Sequence, residues 1–407
     1  MKNNSYASSF FTVQSFLKCL LLLTLLTLTP GCYGSGDKAA LRKEKSQTAQ
    51  TINIGVVWPF ASDYKSFING IVMASDEINL SGGVLGKKIS LRLKDDESNV
   101  SRGMIIADQL AADPEVCAAI GFCNSYVTLP VSYIYEAAGI LMVTTASTAP
   151  GFNPVRSPLL FRTVANGSDI AKKIADVINR LGYKKAVLCY VKNDYGLTAA
   201  NACEDELKNL LISVIDRRPY ISGSVAEFNQ ITDCWKLLKF DCVILFGDDV
   251  GGPEFIKAIR KEKIAVPVFC GDAMNSPELI NIAGGDAEGA IVSSFFNPSA
   301  VSAKGSKFVT DYKNRFGVLP DSFATGAYDT LKLVAEAIKR AQNTNPQKIA
   351  EALRSLKNEE GVANSYSFDE RGEVINKKVF LKIVSGKKFI YLDSSNEVEY
   401  IKKSLEK

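Results

Sequence analysis

Short apolar runs alternate with helix-length amphipathic segments through most of this 407-residue chain. A first set of runs, INIGVV, ISLRLK, VCAAIG and ILMVTT, lies between residues 52 and 145. A second set, KAVLCYV, CVILFG, VPVFCG and AIVSSF, lies between residues 185 and 295. Strands that alternate with helices form parallel sheets with both faces covered. The pattern therefore predicts an α/β fold with two similar lobes.

Near the end of the chain, the alternation of predicted strands and helices gives way to consecutive helices. Apolar periodicity predicts consecutive helices over residues 307 to 316, 323 to 341 and 346 to 356. The runs VFLKIV and KKFIYL follow, on either side of a turn that contains Gly386, and they predict a β-hairpin.

The N-terminus is typical of an export signal. Lys18 precedes an apolar run over residues 19 to 28, and a run of that length is too short for a bilayer core about 30 Å thick. The following LTPGC resembles a bacterial lipobox, with Thr29 where leucine is usual. We expect a signal peptide over 1 to 32 with lipidation at Cys32, the alternatives being plain secretion or an uncleaved anchor. Polar residues 33 to 50 are expected to form a flexible tether.

Composition excludes several functions. The chain contains no histidine, which removes Ser-His-Asp and Cys-His catalysis and the commonest metal ligand. Lys and Arg number 48 against 44 Asp and Glu, without a dense basic run, so nucleic acid is not expected as a partner. We expect no catalytic residue, no metal and no cofactor. Of nine cysteines, Cys19 and Cys32 lie in the predicted signal peptide; most of the other seven are interpreted as small buried thiols, although a disulfide stays open.

Polar side chains follow the predicted strands where a ligand would bind. In open parallel sheets the ligand crevice lies at the carboxyl ends of the strands. The stretch GFCNSYVTLP places Ser125 directly after the strand over residues 116 to 121, at the start of a helix. Such a position either binds an anionic group or caps its own helix, and both interpretations stay open.

The order of several motifs resembles a known family. The stretches GGVLGKKISLRLKDDES, GFCNSYVTLP, YEAAGILMVTTASTAP, KNDYG and SFDERGE are similar to the leucine, isoleucine and valine binding proteins of bacterial ABC importers, which are type I periplasmic binding proteins. The resemblance covers about residues 51 to 395. It implies two Rossmann-like lobes with parallel sheets, joined by three hinge crossovers near residues 161 to 165, 291 to 296 and 366 to 368. Lobe 1 would comprise residues 51 to 164 and 292 to 366, and lobe 2 residues 165 to 291 and 367 to 407.

The resemblance also implies a ligand site. An amino acid's carboxylate would meet Ser125 and a second strand end, which consists of Ala146, Ser147 and Thr148. Its ammonium group would pair with Asp272, and Tyr195 would line the cleft. Each position has a plainer alternative. The hydroxyls would serve as helix caps or turn residues, Asp272 as a cap, and Tyr195 as surface cover.

Two stretches depart from the family pattern. Trp58 begins a bulky loop, WPFASDYKS, and either narrows the side-chain pocket or packs in the core. Asp248 stands in GDDV where relatives place an aromatic residue, and either recruits a cationic group or faces solvent. In some relatives paired cysteines occupy the positions of Ser98 and Asn124. These departures put a preference for an aliphatic ligand side chain in doubt.

The resemblance implies an extracytoplasmic solute-binding protein of an ABC importer. Such a protein captures an amino acid or a related small carboxylate between two closing lobes and delivers it to a membrane permease. The alternative is a ligand-sensing component that signals to a membrane partner. We expect a monomer without enzymatic activity, located in the periplasm or on the cell surface and held to the membrane by its lipid.

Overall fold

The computed structural model describes residues 35–60, 65–153 and 157–405. The predicted signal peptide and Cys32 lie outside the described residues. In chain order the strands are β1 Ile52–Val57, β2 Ile89–Lys94, β3 Val116–Gly121, β4 Leu141–Thr144, β5 Leu160–Arg162, β6 Lys185–Val191, β7 Ser213–Tyr220, β8 Cys242–Phe246, β9 Val268–Cys270, β10 Ile291–Ser294, β11 Glu359–Glu360, β12 Ser365–Tyr366, β13 Phe380–Ser385 and β14 Lys388–Tyr391.

Helices follow nearly every strand of the two main sheets. They are Ser35–Thr48, Lys65–Leu80, Val100–Ala112, Ser125–Ala138, Gly167–Leu181, Asp194–Asn209, Val225–Trp235, Gly251–Lys261, Glu278–Ala283, Ala303–Phe316, Ser322–Ala341, Pro346–Ser355 and Glu397–Leu405, with 3-10 turns at Asp272–Met274 and Gly284–Ala287. The predicted alternation of strands and helices is confirmed. Helix Gly167–Leu181 begins after Asn166, which forms a reciprocal capping box with Asp169.

The first lobe is built on a parallel sheet with strand order β2-β1-β3-β4-β5. Helices Lys65–Leu80 and Ser322–Ala341 cover one face, and Val100–Ala112 and Ser125–Ala138 cover the other. The first two approach closely, since a Cβ atom at Gly70 would lie 2.1 Å from the carbonyl oxygen of Ala324. Only glycine fits at this crossing without moving a helix.

The second lobe is built on a sheet with strand order β14-β13-β10-β9-β8-β6-β7. Strands β6 to β10 pair in parallel, whereas β13 and β14 form the predicted hairpin and join antiparallel beside β10. Sequence analysis did not identify β7, whose residues SVIDRRPY are mostly partly or fully exposed. Because this edge strand carries several charged residues, its sequence lacks the apolar pattern by which a strand is recognised.

The chain crosses between the lobes three times. The first crossing follows β5, and the second follows β10, which belongs to the second sheet from Ile291 to Ser294. The third lies later than expected, because residues 368 to 374 stay with the first lobe. Phe368 packs edge-on against Phe161, with ring centroids 5.3 Å apart, and Val374 is buried in the same core. Residues 367 to 374, expected in lobe 2, therefore pack on lobe 1.

The segment expected to be a flexible tether is largely helical. Helix Ser35–Thr48 lies against the first lobe, held by the buried guanidinium of Arg42. That group donates to the carbonyl oxygens of Val116 at 2.9 Å and Ala138 at 2.7 Å, and to those of Ala111 at 2.8 Å and Asp113 at 3.0 Å. Burial lowers the pKa of Arg42 to about 10, partly offset by Asp113. Sequence reasoning missed this helix because its contacts come from distant strand and helix ends.

Within the described residues, no helix is long and apolar enough to cross a membrane. The seven cysteines in that part of the chain are free thiols, and five of them are buried: Cys117, Cys189, Cys203, Cys242 and Cys270. The interpretation of most cysteines as small buried hydrophobic residues is confirmed.

Candidate ligand-binding site

A cavity of about 210 Å³ lies between the two lobes, at the carboxyl ends of both parallel sheets. Both lobes contribute to its wall. The lining residues are Ser98, Cys123, Asn124, Ser125, Tyr126, Ala146, Thr148 and Phe323 from the first lobe, and Asn193, Tyr195, Ser222, Asp248, Asp249, Val250, Asp272 and Ala273 from the second. The arrangement follows the rule that ligands bind where parallel strands end.

Ser125 is the first residue of helix Ser125–Ala138 and does not act as its cap. Asn124 occupies the N-cap position, yet its side chain makes no capping hydrogen bond. Its amide donates instead to the Ser98 hydroxyl at 2.8 Å. The first residues of this helix line the cavity, and a helix N-terminus favours an anionic group through its N–H groups and positive dipole.

The strand end after β4 lies beside this helix start. The Ser125 hydroxyl accepts hydrogen bonds from Ser147 Oγ and from the Ala149 N–H, each at 3.2 Å. Ala146 and Thr148 line the cavity, while Ser147 is buried behind Ser125 and supports it. Hydroxyl and N–H donors converge here in the manner that an anionic group requires.

The second lobe places a buried carboxyl group opposite these donors. The Tyr195 hydroxyl donates to Asp272 Oδ1 at 3.0 Å. Burial raises the pKa of Asp272 to about 6, and hydrogen bonds from Tyr195 and Thr148 offset only part of that rise. Since Thr148 belongs to the first lobe, its effect on the pKa of Asp272 acts across the cleft. Asp272 does not cap the helix near Ser276, which begins at Glu278.

Two further predicted site residues differ in position. Asp248 lines the cavity and also accepts hydrogen bonds from the N–H groups of Gly251 and Gly252, at 2.5 and 3.3 Å. Trp58 does not reach the cavity. It is fully buried, with its ring stacked on Phe67 at 3.8 Å and edge-on to Phe323 at 5.5 Å. Its role is core packing, and its neighbour Phe323 lines the cavity together with Tyr126 and Tyr195.

Sequence reasoning missed several lining residues. Asn193 and Ser222 follow β6 and β7, and Cys123 and Tyr126 flank the predicted Ser125. The strand-end rule does reach Asn193, which follows β6 and lies two residues before the matched Tyr195. Ser222 follows the one main-sheet strand whose pattern was not recognised.

Comparisons with known proteins agree with this architecture. Residues 51–388 match a family described as Periplasmic binding protein. An ABC transporter substrate-binding protein from Desulfitobacterium hafniense, solved in complex with Leu, is 34% identical. The match covers 84% of this chain and 100% of that chain, with a TM-score of 0.76.

Two further relatives are similar over most of their length. A leucine-binding protein from Thermotoga maritima is 26% identical with a TM-score of 0.78, covering 84% of this chain and 98% of that chain. A leucine-, isoleucine-, valine-, threonine- and alanine-binding protein of Pseudomonas aeruginosa is 28% identical over 346 residues, which is 81% of this chain and 89% of that protein. The chain therefore belongs to the periplasmic binding protein family, and it is a solute-binding protein rather than an enzyme.

Proposed function

We propose that this protein binds an α-amino acid in the cleft and delivers it to the permease of an ABC importer. One observation supports this most directly. Ser125, Thr148 and a helix N-terminus on one lobe lie across the cavity from the buried Asp272 on the other. Neutral donors suit a carboxylate, and a buried carboxylate suits an ammonium group. The relative solved in complex with Leu supports the same ligand class.

Ligand binding across the cleft also supports a hinged mechanism. The ligand carboxylate would contact the first lobe and its ammonium group the second, so that both contacts form only when the lobes are close. The three crossovers after β5, after β10 and after residue 374 would serve as the hinge. We propose that the protein acts as a monomer, since each chain holds both halves of the site.

The proposal is tested by a ligand screen. Residues 33 to 407 would be purified, stripped of bound ligand by partial unfolding, and screened by thermal shift against amino acids and other small carboxylates. A ligand at about 100 times its dissociation constant adds about 2.7 kcal/mol to the free energy of unfolding. Stabilisation by an α-amino acid, but not by its keto acid, is the expected result. Failure of every amino acid to stabilise the protein would contradict the proposal.

Ser125→Ala should weaken amino acid binding moderately. The substitution removes one hydroxyl that receives hydrogen bonds from Ser147 and Ala149, while backbone N–H groups remain for the carboxylate. We expect a loss of about 1 to 2 kcal/mol in binding free energy, measured by calorimetric titration. Ser132→Ala, farther along the same helix, is the matched control and should bind normally. Unchanged affinity in Ser125→Ala would remove this hydroxyl from the site.

The affinity for an amino acid should depend on pH through Asp272. Its pKa is raised to about 6, so in the ligand-free protein the Asp272 carboxyl group is mostly protonated below that pH. Pairing with an ammonium group requires the ionised form. We expect affinity to be constant above pH 6 and to fall about tenfold per pH unit below it. Because this pKa is raised, Asp272 alone makes the ligand-free protein less stable as pH rises from 3.8 to about 6.

Calorimetry between pH 5 and 8 measures this dependence, with Asp272→Asn as the comparison. Asp96 has a pKa raised by burial to about 6 as well, so any slope left in Asp272→Asn reports on Asp96. A wild-type affinity that does not change between pH 5 and 7 would contradict the pairing of Asp272 with an ammonium group.

We also propose that lipidation of Cys32 holds the protein at the membrane. The short apolar run that ends in Gly31 and Cys32 supports this anchor. Cys32→Ala should move the protein from the membrane fraction to the soluble fraction without altering ligand affinity. Fractionation and immunoblotting measure the change. A variant that stays with the membrane after a high-salt wash would contradict a lipid anchor.

A further inference from the structure

The end of the second lobe that faces away from the cleft is basic. A groove of about 680 Å³ lies there, where strands β6, β8 and β9 begin. Its wall contains two acidic residues, Asp241 and Glu262, and five lysines, which are Lys184, Lys185, Lys236, Lys239 and Lys263. The whole chain has a formal net charge of only +4, so positive charge is concentrated at this basic end of the lobe.

The acidic groups at the basic end already have partners. Asp241 Oδ2 accepts hydrogen bonds from the N–H groups of residues 184 and 185, at 2.7 and 2.9 Å. Lys236 Nζ lies 3.2 Å from Glu262 Oε2 and 2.5 Å from Asp233 Oδ1. Within the described part of the chain, Lys236 is the only one of the five lysines whose ammonium group forms an ion pair. The other four side chains are exposed and leave their charge available to an anionic partner.

Three exposed leucines lie at the same end of the lobe. Leu237 is 81% exposed and Leu238 39% exposed, between helix Val225–Trp235 and β8. Leu211 is 86% exposed, directly before β7. It follows the C-cap of helix Asp194–Asn209 with a φ of 57°, a position where glycine is preferred. The folded lobe gains nothing from a leucine there, which indicates a contact outside the chain.

Strand pairing brings the leucines and lysines to one face. Strand β6 lies between β7 and β8 in the second sheet. At its start, the Ser213 N–H donates to the Lys184 carbonyl oxygen at 2.9 Å, and the Asp241 N–H donates to that of Lys185 at 2.8 Å. Neighbouring strands lie about 4.8 Å apart, so the loops that carry the leucines flank the lysines within about 10 Å.

We propose that the basic end docks on the surface of an anionic lipid bilayer. The lysines contact the phosphate groups of the lipids, and the leucines enter the apolar part of the interface, because both contributions stabilise peripheral membrane binding. A soluble polyanion would use the lysines without the leucines. The inference goes beyond the proposed function and does not depend on the ligand, since Asp272 lies at the opposite end of the same sheet.

Vesicle sedimentation tests the inference with residues 33 to 407, which lack Cys32 and its lipid. Vesicles of equal parts phosphatidylglycerol and phosphatidylcholine should bind the protein at least tenfold more tightly than vesicles of phosphatidylcholine alone. Salt should weaken this binding, because it screens exposed charges. The high-salt wash used for Cys32→Ala therefore removes this contact. Equal binding to both vesicles, or no binding to the anionic ones at low ionic strength, would overturn the inference.

A charge variant tests whether the lysines make this contact. Lys184→Gln combined with Lys239→Gln should weaken binding to the anionic vesicles about tenfold or more. The matched control is Lys313→Gln with Lys339→Gln, which removes the same charge from exposed positions on the first lobe and should bind like the wild type. Equal losses in both variants would show attraction by overall charge and would overturn docking through the basic end.

A leucine variant separates a bilayer from a soluble polyanion. Leu211→Ser with Leu237→Ser keeps every lysine and should also weaken vesicle binding about tenfold or more, since two apolar side chains no longer enter the interface. Full binding by this variant would mean that charge alone acts, and would overturn bilayer docking. The substituted side chains are exposed, and circular dichroism checks that each variant is folded.

Discussion

Asp272→Asn is expected to weaken amino acid binding by about two to three orders of magnitude. The ligand's ammonium group would enter a buried site whose carboxylate has been replaced by a neutral amide. Leaving a buried charge without its partner costs about 3 to 5 kcal/mol, and about 1.4 kcal/mol corresponds to one decade in dissociation constant. Calorimetric titration with the amino acid found in the screen measures the loss.

The ligand-free variant should be at least as stable as the wild-type protein at pH 7. Asp272 is ionised there although burial raises its pKa to about 6, so the neutral amide removes a buried charge. Tyr195→Phe is the matched control. It deletes the 3.0 Å hydrogen bond to Asp272 but keeps the carboxylate, and should reduce affinity by about tenfold or less. Wild-type affinity in Asp272→Asn would contradict the ammonium site.

Arg162→Met should lower the free energy of unfolding by about 3 to 5 kcal/mol. The Arg162 side chain is fully buried at the first crossover and pairs with Glu373, with Nε donating to Oε2 at 3.0 Å. Its Nη1 donates to the carbonyl oxygens of Ser147 at 3.0 Å and Ala149 at 2.8 Å. Methionine fills similar space but leaves a nearly buried carboxylate and two carbonyl groups without their donor.

Urea unfolding of the ligand-free protein, followed by circular dichroism, measures this change. Arg162→Met combined with Glu373→Gln should recover part of the lost stability, since the second change removes the unpaired charge. Because Arg162 holds the loop after β4 that carries Thr148, ligand affinity should fall as well. A stability within 1 kcal/mol of wild type would show that this ion pair is not needed at the hinge.

Local pattern was sufficient to predict most elements of the fold. The bounds of β1, β2, β3 and β6 agree with the predicted runs residue by residue. β1 and β3 are buried on both faces and therefore read as continuous apolar runs, whereas the edge strand β2 shows the alternation of a half-exposed strand. The rule that ligands bind at strand ends selected Ser125, and the comparison with the family pattern added Thr148, Tyr195, Asp248 and Asp272; the structure brings all five to one cavity. Edge strand β7 was missed, since its exposed charged residues show no such run.

The direction in which a side chain points at a strand end could be known only from the tertiary structure. Trp58 and Asp272 both follow buried strands, yet Trp58 turns into the core because Phe67 and Phe323 receive its ring. Phe323 is far from Trp58 in sequence, so the local sequence pattern does not predict their contact.

The segments that join the lobes also separate what the sequence determined from what only the tertiary structure decided. The sequence by itself determined two parallel α/β lobes, their strands and the strand ends that carry the site, because apolar periodicity reflects burial along one element. Tertiary structure alone decided that residues 367 to 374 pack on the first lobe against Phe161, and that a polar helix docks there through Arg42. Both depend on contacts between residues distant in sequence, whose partners exist only after the sheets have formed.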